Sequence, residues 1–230
     1  MTPLVFIPGL LCTAELFAPQ LAALWPYGPV TVASTLEGET IAQMATAILA
    51  QAPPQFALVG LSMGGMISLE IMRQAPERVL KLALLDTTAQ PASPEQTSFF
   101  DGLLAQARRG EAATVLGDVL ISVLHPVHQR DPTLRAVNQR MGAAIGLAGF
   151  ARQVAAVLSR PDSRPSLATI AVPTLVLVGE QDQLTPPAAA RELAAAIPDA
   201  RLVIIPECGH GSTIGQPQAV NEALRSWLLA

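Results

Sequence analysis

The chain has 230 residues, of which 50% are hydrophobic and 14% are charged, and its formal net charge is −4. This length suits one domain with a substantial core, and the hydrophobicity excludes intrinsic disorder. The mild negative charge, with no long basic run, argues against nucleic acid as a partner. Two cysteines, Cys12 and Cys208, are too few for a disulfide framework, so we expect two buried free thiols.

Residues 40–69 carry no charge. They do not predict a membrane span, because Pro53, Pro54 and several glycines interrupt the apolar run. Residues 1–11 lack the positive charges that precede the apolar part of a secretory signal. We therefore expect a cytoplasmic protein with no membrane partner.

Short apolar runs alternate with helical patterns along much of the chain. The runs that predict strands are LVFIP (4–8), VTVAS (30–34), FALVGLS (56–62), LKLALLDTT (80–88), PTLVLVGEQD (173–182) and ARLVIIPECGH (200–210). They are continuously apolar, which is typical of strands covered on both faces. We predict an α/β fold with a mostly parallel sheet and helices on both of its faces.

The alternation stops between residues 90 and 171. Segments rich in proline and serine, QPASPEQ (90–96) and RPDSRPS (160–166), border this stretch. Four helical patterns follow one another inside it: FFDGLLAQARRG, EAATVLGDVLISVL, PTLRAVNQRMGAAIG and GFARQVAAVLSR. We predict a core formed by residues 1–89 and 172–230, with residues 90–171 inserted as a helical cap, or lid.

The stretch from Gly60 to Gly64, GLSMG, joins a predicted strand to a predicted helix. In so sharp a turn the central residue, here Ser62, is strained and exposed, and the residues two before and two after it must be small. The helix N-terminus favours a negative charge that develops nearby. The pattern predicts a nucleophilic serine. The alternative is a glycine-rich turn in which Ser62 is incidental or caps the helix.

A serine nucleophile needs a base, and the chain has three histidines. The spacing of His125 and His128 resembles a metal pair, but Pro126 breaks regular helix there and no cluster of other ligands adjoins. We therefore expect those two histidines in a solvated loop. His210 follows the last predicted strand, at the same sheet edge as Ser62, where ligands bind in open α/β sheets.

The base needs a carboxylate to orient it, and two aspartates have suitable positions. Asp182 follows the strand before His210, and Asp86 follows LKLALL, while Glu180 and Glu207 lie near the same edge. We favour Asp182, because the chain order Ser, Asp, His is typical of this architecture. The alternative role for Asp182 is a turn or a helix cap.

Three motifs occur together and in this order: GLSMGG (60–65), GEQDQLTPP (179–187) and CGHGSTIGQP (208–217). With them, the whole chain resembles the α/β-hydrolase fold superfamily, in its form with a small helical lid. The segment MRQAPERVLKLALLDTTAQP further resembles the branch of 3-oxoadipate enol-lactonases and pimeloyl-carrier methyl esterases. The resemblance implies that Ser62 is the nucleophile, His210 the general base and Asp182 the orienting acid.

One position departs from that branch. Its members usually carry His-Gly after the first strand, where this chain has Pro8 and Gly9 followed by Leu10. An oxyanion hole uses backbone N–H groups, so it does not require the histidine side chain. The resemblance implies that the N–H groups of Leu10 and Met63 are the donors.

These features predict a serine hydrolase that cleaves a small-molecule carboxylic ester or lactone through an acyl-enzyme. No metal or organic cofactor is expected. A haloalkane dehalogenase is disfavoured, because that chemistry needs a carboxylate at the position of Ser62. The alternatives are an acyltransferase, a perhydrolase or a C–C hydrolase with the same triad, or a non-catalytic ligand receptor. The sequence leaves the oligomeric state open.

The predicted cap holds eight arginines and six acidic residues, a difference of +2, so the rest of the chain carries −6. One of these arginines could bind a substrate carboxylate. The alternative is that all lie on solvated helix faces, since no spacing singles one out. The arginines are Arg108, Arg109, Arg130, Arg135, Arg140, Arg152, Arg160 and Arg164. Six apolar cap residues either line an acyl pocket or pack the cap on the core: Phe99, Phe100, Leu103, Leu104, Leu120 and Leu124.

Overall fold

The computed structural model describes residues 1–230. Its strands are β1 Leu4–Ile7, β2 Val30–Val32, β3 Phe56–Leu61, β4 Val79–Leu85, β5 Thr174–Gly179 and β6 Arg201–Ile205. Its helices are α1 Ala18–Leu24, α2 Ile41–Gln51, α3 Met63–Gln74, α4 Pro94–Gln106, α5 Ala112–Ser122, α6 Pro132–Leu158, α7 Pro187–Ala196, α8 Ser212–Gly215 and α9 Pro217–Leu229. All six predicted strands are present. Each ends earlier than predicted, because the last residues of each apolar run belong to the loop that follows the strand.

The strands form one parallel sheet in the order β2-β1-β3-β4-β5-β6. The order reverses between β1 and β3, and in open α/β sheets ligands bind in the crevice at the carboxyl ends of the strands beside such a reversal. The loops that carry Leu10 and Ser62 follow these two strands. The predicted fold class, a parallel sheet covered by helices, is confirmed.

Both faces of the sheet are buried. Successive side chains of a strand point to opposite faces, so Val5 and Ile7 of β1 contribute to one apolar cluster, and Leu4 and Phe6 to another. Helices α2, α3 and α7 complete the first cluster, and α1 and α9 complete the second. This double burial explains why the strand sequences are apolar throughout.

Between β4 and β5 the chain forms only helices. A wider turn at residues 107–111 joins α4 to α5, and α6 bends at Gly146, which has a φ of 66°. The bend separates the last two helical patterns of the sequence. The division into a core and a cap at residues 90 and 171 stays a prediction.

Helix α6 is long and apolar enough to cross a membrane by length and composition alone. It is bent at Gly146, and 44% of its most apolar window is buried inside the protein. Phe150, Val154 and Val157 pack into the first apolar cluster. These contacts are those of a helix that belongs to a protein core.

Candidate active site

Ser62 lies between β3 and α3 with a φ of 56° and a ψ of −116°. Residues other than glycine rarely adopt a positive φ, so the neighbours must hold this conformation. A Cβ at Gly60 would overlap the carbonyl oxygen of Gly64, and a Cβ at Gly64 would overlap the carbonyl oxygen of Ile7 at the end of β1. The turn is therefore packed so closely that glycine is required on both sides of Ser62.

Thr87 lies just after β4, the strand next to β3, and holds the same turn. No sequence pattern singles it out. Its Oγ1 donates a hydrogen bond of 2.7 Å to the carbonyl oxygen of Ser62. The N–H of Ser62 donates to the carbonyl oxygen of Leu85 at 2.9 Å. The backbone of the serine is thus fixed on both sides, while its hydroxyl makes no hydrogen bond within the chain. Hydrogen bonds of catalytic groups often tighten only when substrate binds.

His210 and Asp182 meet behind Ser62. The Nδ1 of His210 lies 2.8 Å from the Oδ2 of Asp182, and both side chains are buried. The Oδ1 of Asp182 accepts hydrogen bonds of 2.9 Å from the N–H groups of Leu184 and Thr185. The hydroxyl of Thr185 donates to Oδ2 at 2.8 Å. These hydrogen bonds hold the carboxylate in one orientation, with its Oδ2 toward the imidazole ring.

The electrostatics of this pair result from burial and contact. Burial alone would raise the pKa of Asp182, but the His210 charge and the hydrogen bonds from His210 and Thr185 bring that pKa below its usual value. Burial alone would lower the pKa of His210, but the adjacent Asp182 and the more distant Asp86 raise it above its usual value. The pair thus favours an ionised aspartate and a basic imidazole.

Asp86, the other candidate acid, takes a different place. Its carboxylate accepts hydrogen bonds from the backbone N–H groups of Ser212 at 2.8 Å, Gly211 at 3.2 Å and Gly179 at 3.3 Å. Burial, and then the charge of Asp182, raise the pKa of Asp86 to about 6. Asp86 therefore holds the backbone of the histidine loop, and of the two aspartates only Asp182 contacts the ring.

The predicted cap also contacts the histidine loop. The N–H of His210 donates a hydrogen bond of 3.0 Å to the carbonyl oxygen of Val123, just after α5. His125 and His128 lie in the next turn, with ring centroids 5.8 Å apart. No group of three potential metal ligands forms there or elsewhere in the chain.

The loop after β1 lies directly over Ser62. A Cβ at Gly9 would come within 3.3 Å of the Cβ of Ser62. The N–H of Leu10 has no hydrogen-bond partner in the chain, and Met63 is the first residue of α3, where an N–H has no acceptor within the helix. Both N–H groups are therefore free to donate a hydrogen bond to a ligand atom, and their role as oxyanion-hole donors stays a prediction.

Gln153, which sequence reasoning missed, fixes the loop that lacks the usual histidine. Its Oε1 accepts a hydrogen bond of 2.9 Å from the N–H of Leu11, a residue with a φ of 61°. Its Nε2 donates to the Oγ1 of Thr35 at 2.9 Å, so the buried amide is satisfied. The only signal in the sequence is a glutamine within the apolar pattern of α6.

A cavity open to solvent joins these groups, and its empty space, counted together with the solvent at its mouth, is about 800 Å³. Ser62, His210, Leu10 and Met63 line it, and Asp182 lies behind His210. Of the six apolar cap residues, four line the cavity, Phe99, Phe100, Leu120 and Leu124, whereas Leu103 and Leu104 pack against the core. The predicted cap adds three polar residues to the lining, Gln96, Asn138 and Arg160.

The two cysteines are buried and free, as expected. Cys12 borders the cavity, and burial raises the pKa of its thiol to about 12. Burial and the neighbouring Asp86 and Asp182 raise the pKa of Cys208 as well. Neither thiol has the low pKa of a nucleophilic cysteine.

Comparison with known families matches residues 34–217 to the alpha/beta hydrolase fold. The chain belongs to the α/β-hydrolase fold family. This hydrolase is 30% identical over 200 residues to a pimeloyl-[acyl-carrier protein] methyl ester esterase of Aromatoleum aromaticum, covering 79% of this chain and 77% of that protein.

Solved structures give the same result. The enol-lactonase from Burkholderia xenovorans LB400 matches with a TM-score of 0.89 and 27% identity, covering 100% of this chain and 92% of that chain. A thermophilic esterase from Thermogutta terrifontis matches with a TM-score of 0.86 and 27% identity, over 99% and 89% of the two chains. The predicted resemblance is confirmed: the protein is an α/β-hydrolase, an enzyme that acts on ester bonds.

The packing of the serine turn gives a first prediction. Gly64→Ala adds a Cβ against the carbonyl oxygen of Ile7, so we expect the free energy of unfolding to fall by about 2 kcal/mol or more, together with a loss of esterase activity. Urea denaturation and an esterase assay measure the two effects.

Gly102→Ala in α4 is the matched control, because its added Cβ meets nothing within 4 Å. There we expect the free energy of unfolding to stay unchanged or to rise by up to about 1 kcal/mol. Equal stability of both variants and the original protein would contradict the steric account of the turn.

Proposed function

We propose that this hydrolase is a carboxylesterase or lactonase whose catalytic triad is Ser62, His210 and Asp182, and that it acts through an acyl-enzyme. The observation that carries the proposal is the buried hydrogen bond of 2.8 Å between His210 and Asp182, beside a serine held at positive φ in the same cavity. The backbone amides of Leu10 and Met63 form the oxyanion hole in this proposal.

The reaction then has two steps. The Nε2 of His210 takes the proton of Ser62 as the Oγ attacks the carbonyl carbon, and the oxyanion accepts hydrogen bonds from the two amides. The tetrahedral intermediate collapses when His210 gives the proton to the leaving alkoxide. Water, which gives a proton to His210, attacks the acyl-enzyme, and the acid product leaves as Ser62 recovers its proton.

Two observations support this choice of substrate class. The cavity lining is mostly apolar, which suits the hydrocarbon part of a small ester. One relative is named as a methyl ester esterase and one similar structure as an enol-lactonase. The residues proposed for the chemistry are all supplied by the chain. The predicted cap of residues 90–171 covers the cavity in this proposal, and the cytoplasmic location stays a prediction.

The alternative classes differ from a hydrolase of esters in the acyl acceptor or in the bond that they cleave. An acyltransferase or a perhydrolase passes the acyl group to an acceptor other than water, a C–C hydrolase cleaves a different bond, and a ligand receptor turns nothing over. Product analysis with methyl esters and lactones in plain buffer separates them. A free acid formed in stoichiometric amount with the alcohol identifies the hydrolase.

Removing the nucleophile tests the proposal. Ser62→Ala should fold normally and lose activity on short p-nitrophenyl esters, on the order of 10³-fold or more in kcat. Ser159→Ala, at the exposed end of α6, is the matched serine control and should keep full activity. Wild-type turnover by Ser62→Ala would exclude Ser62 as the nucleophile.

The two buried aspartates should respond differently to the same substitution. Asp182→Asn removes the carboxylate that orients the His210 ring, so we expect kcat to fall by up to ~10⁴-fold. Asp86→Asn removes the acceptor of backbone N–H groups, so it should lower the free energy of unfolding and change kcat much less. Steady-state kinetics with the reverse ranking would move the orienting role to Asp86.

The raised pKa of His210 predicts how kcat/KM depends on pH. The imidazole must be neutral to accept the serine proton, so kcat/KM should rise with pH through a midpoint above 6.5, the ordinary value for histidine. Because Asp182 raises that pKa, the residual activity of Asp182→Asn should titrate at a lower pH. A wild-type midpoint below 6.5 would contradict the proposed pairing.

A further inference from the structure

Among the eight arginines of residues 90–171, only Arg160 is buried. It is 6% exposed and lines the same cavity as Ser62. Arg152 is half-buried and lies outside the lining, and the other six are exposed. The structure therefore reduces the candidates for a substrate-binding arginine from eight to one.

The Arg160 guanidinium is held by neutral acceptors. Its Nε donates to the carbonyl oxygen of Gln90, its Nη1 to that of Val157 and its Nη2 to the Oε1 of Gln96, each at 2.8 Å. A guanidinium has five N–H groups, so Nη1 and Nη2 each keep one that is not used by these contacts. Its position is fixed, and part of its donor capacity stays free.

No carboxylate neutralises this cation. The ion pairs of the other cap arginines join exposed partners, such as Arg140 with Glu15 and Arg164 with Asp162, and Arg160 takes part in none. Burial lowers the pKa of Arg160 to about 10, which leaves it charged at neutral pH. The carbonyl oxygen of Val157, near the C-terminus of α6, offsets part of the charge. Charged side chains that are buried in proteins are as a rule paired with an opposite charge, so an unpaired arginine such as Arg160 is unusual.

Gln96 adds a second donor at the same place. Its Oε1 accepts from Arg160, which fixes the orientation of the amide, and its Nε2 makes no hydrogen bond within the chain. Both residues line the cavity, whose other lining residues from the cap are mostly apolar. Free N–H groups on a buried cation, next to a free amide N–H, are the donors that bind a carboxylate.

We propose that Arg160 and Gln96 form a subsite for a carboxylate, and that the natural substrate is a small ester or lactone with a free carboxylate remote from the scissile bond. This inference rests on the proposed function, because it places the substrate in the cavity that holds Ser62. The carboxylate completes the hydrogen bonds of Arg160 and neutralises its charge. The apolar walls contact the hydrocarbon between the two ends.

Matched pairs of substrates test this subsite. The monomethyl esters of glutarate, adipate and suberate are compared with methyl pentanoate, hexanoate and octanoate, and 4-acetoxybutanoate is compared with butyl acetate. Acid release at constant pH gives kcat/KM for each. The best anionic ester should exceed its neutral partner by ~10-fold or more, the effect of a charge-assisted contact. High salt should leave most of this preference, because a buried contact is screened little.

Replacing Arg160 removes its hydrogen bonds to Gln90, Val157 and Gln96 and would loosen the packing, so the main variant is Gln96→Glu. A glutamate there pairs internally with Arg160, and glutamate also suits the capping position that Gln96 occupies in α4. The preference for the anion, which is the ratio of kcat/KM for the anionic ester to kcat/KM for its neutral partner, should fall by ~10- to 100-fold. Arg109→Gln, at an exposed arginine without an ion pair, changes the net charge by the same one unit and should alter neither value.

Turnover of neutral esters without any preference for the anions would overturn the subsite and leave the proposed function standing. Absence of all turnover would overturn the proposed function, and calorimetry on Ser62→Ala then decides the subsite. Monomethyl adipate should bind to Ser62→Ala more tightly than methyl hexanoate, and the added Gln96→Glu substitution should remove that difference. Equal binding, or none, would overturn the inference.

Discussion

The close approach of Gly64 to the end of β1 is the contact on which the site depends. Because α3 begins against the carbonyl oxygen of Ile7, Ser62 is held at positive φ and projects into the crevice between β1 and β3. The same region of contact brings the loop after β1, which carries Leu10, over the serine. One steric constraint, at the point where the strand order reverses, thus positions the proposed nucleophile and both proposed oxyanion donors.

The histidine loop depends on three separate supports, each with a different task. Asp182 contacts the ring, Asp86 accepts the N–H groups that follow it, and the carbonyl oxygen of Val123 accepts the N–H of His210 itself. Burial and the nearby charge of Asp182 raise the pKa of Asp86, because two carboxylates in one buried region disfavour each other's charge. Val123 and Gln153 lie in the segment predicted as a cap, so this segment helps to hold the loops of the site.

The sequence was most informative where physical rules act locally. Continuous apolar runs placed all six strands, and the spacing of glycines around Ser62 predicted the turn. The choice between Asp182 and Asp86 was harder, because both follow strands at the same sheet edge and differ only in whether they contact a ring or backbone amides. Gln153 was not predicted, and Arg160 was one of eight candidate arginines that the sequence could not rank, because each acts through contacts far along the chain, as between Gln153 and Leu11. Leu104 and Phe100 are both buried apolar residues of α4, and only the packing shows that Phe100 alone of the two lines the cavity.

The central claim is that this packing makes Ser62 an activated nucleophile. Its most direct measurement is the site of covalent labelling by a fluorophosphonate, which reacts with activated serines, located by peptide mass spectrometry. The account predicts one label for each protein chain, on the peptide that contains Ser62, and no labelling of the denatured protein. A label on any other residue, or an unlabelled Ser62 in the folded protein, would contradict it.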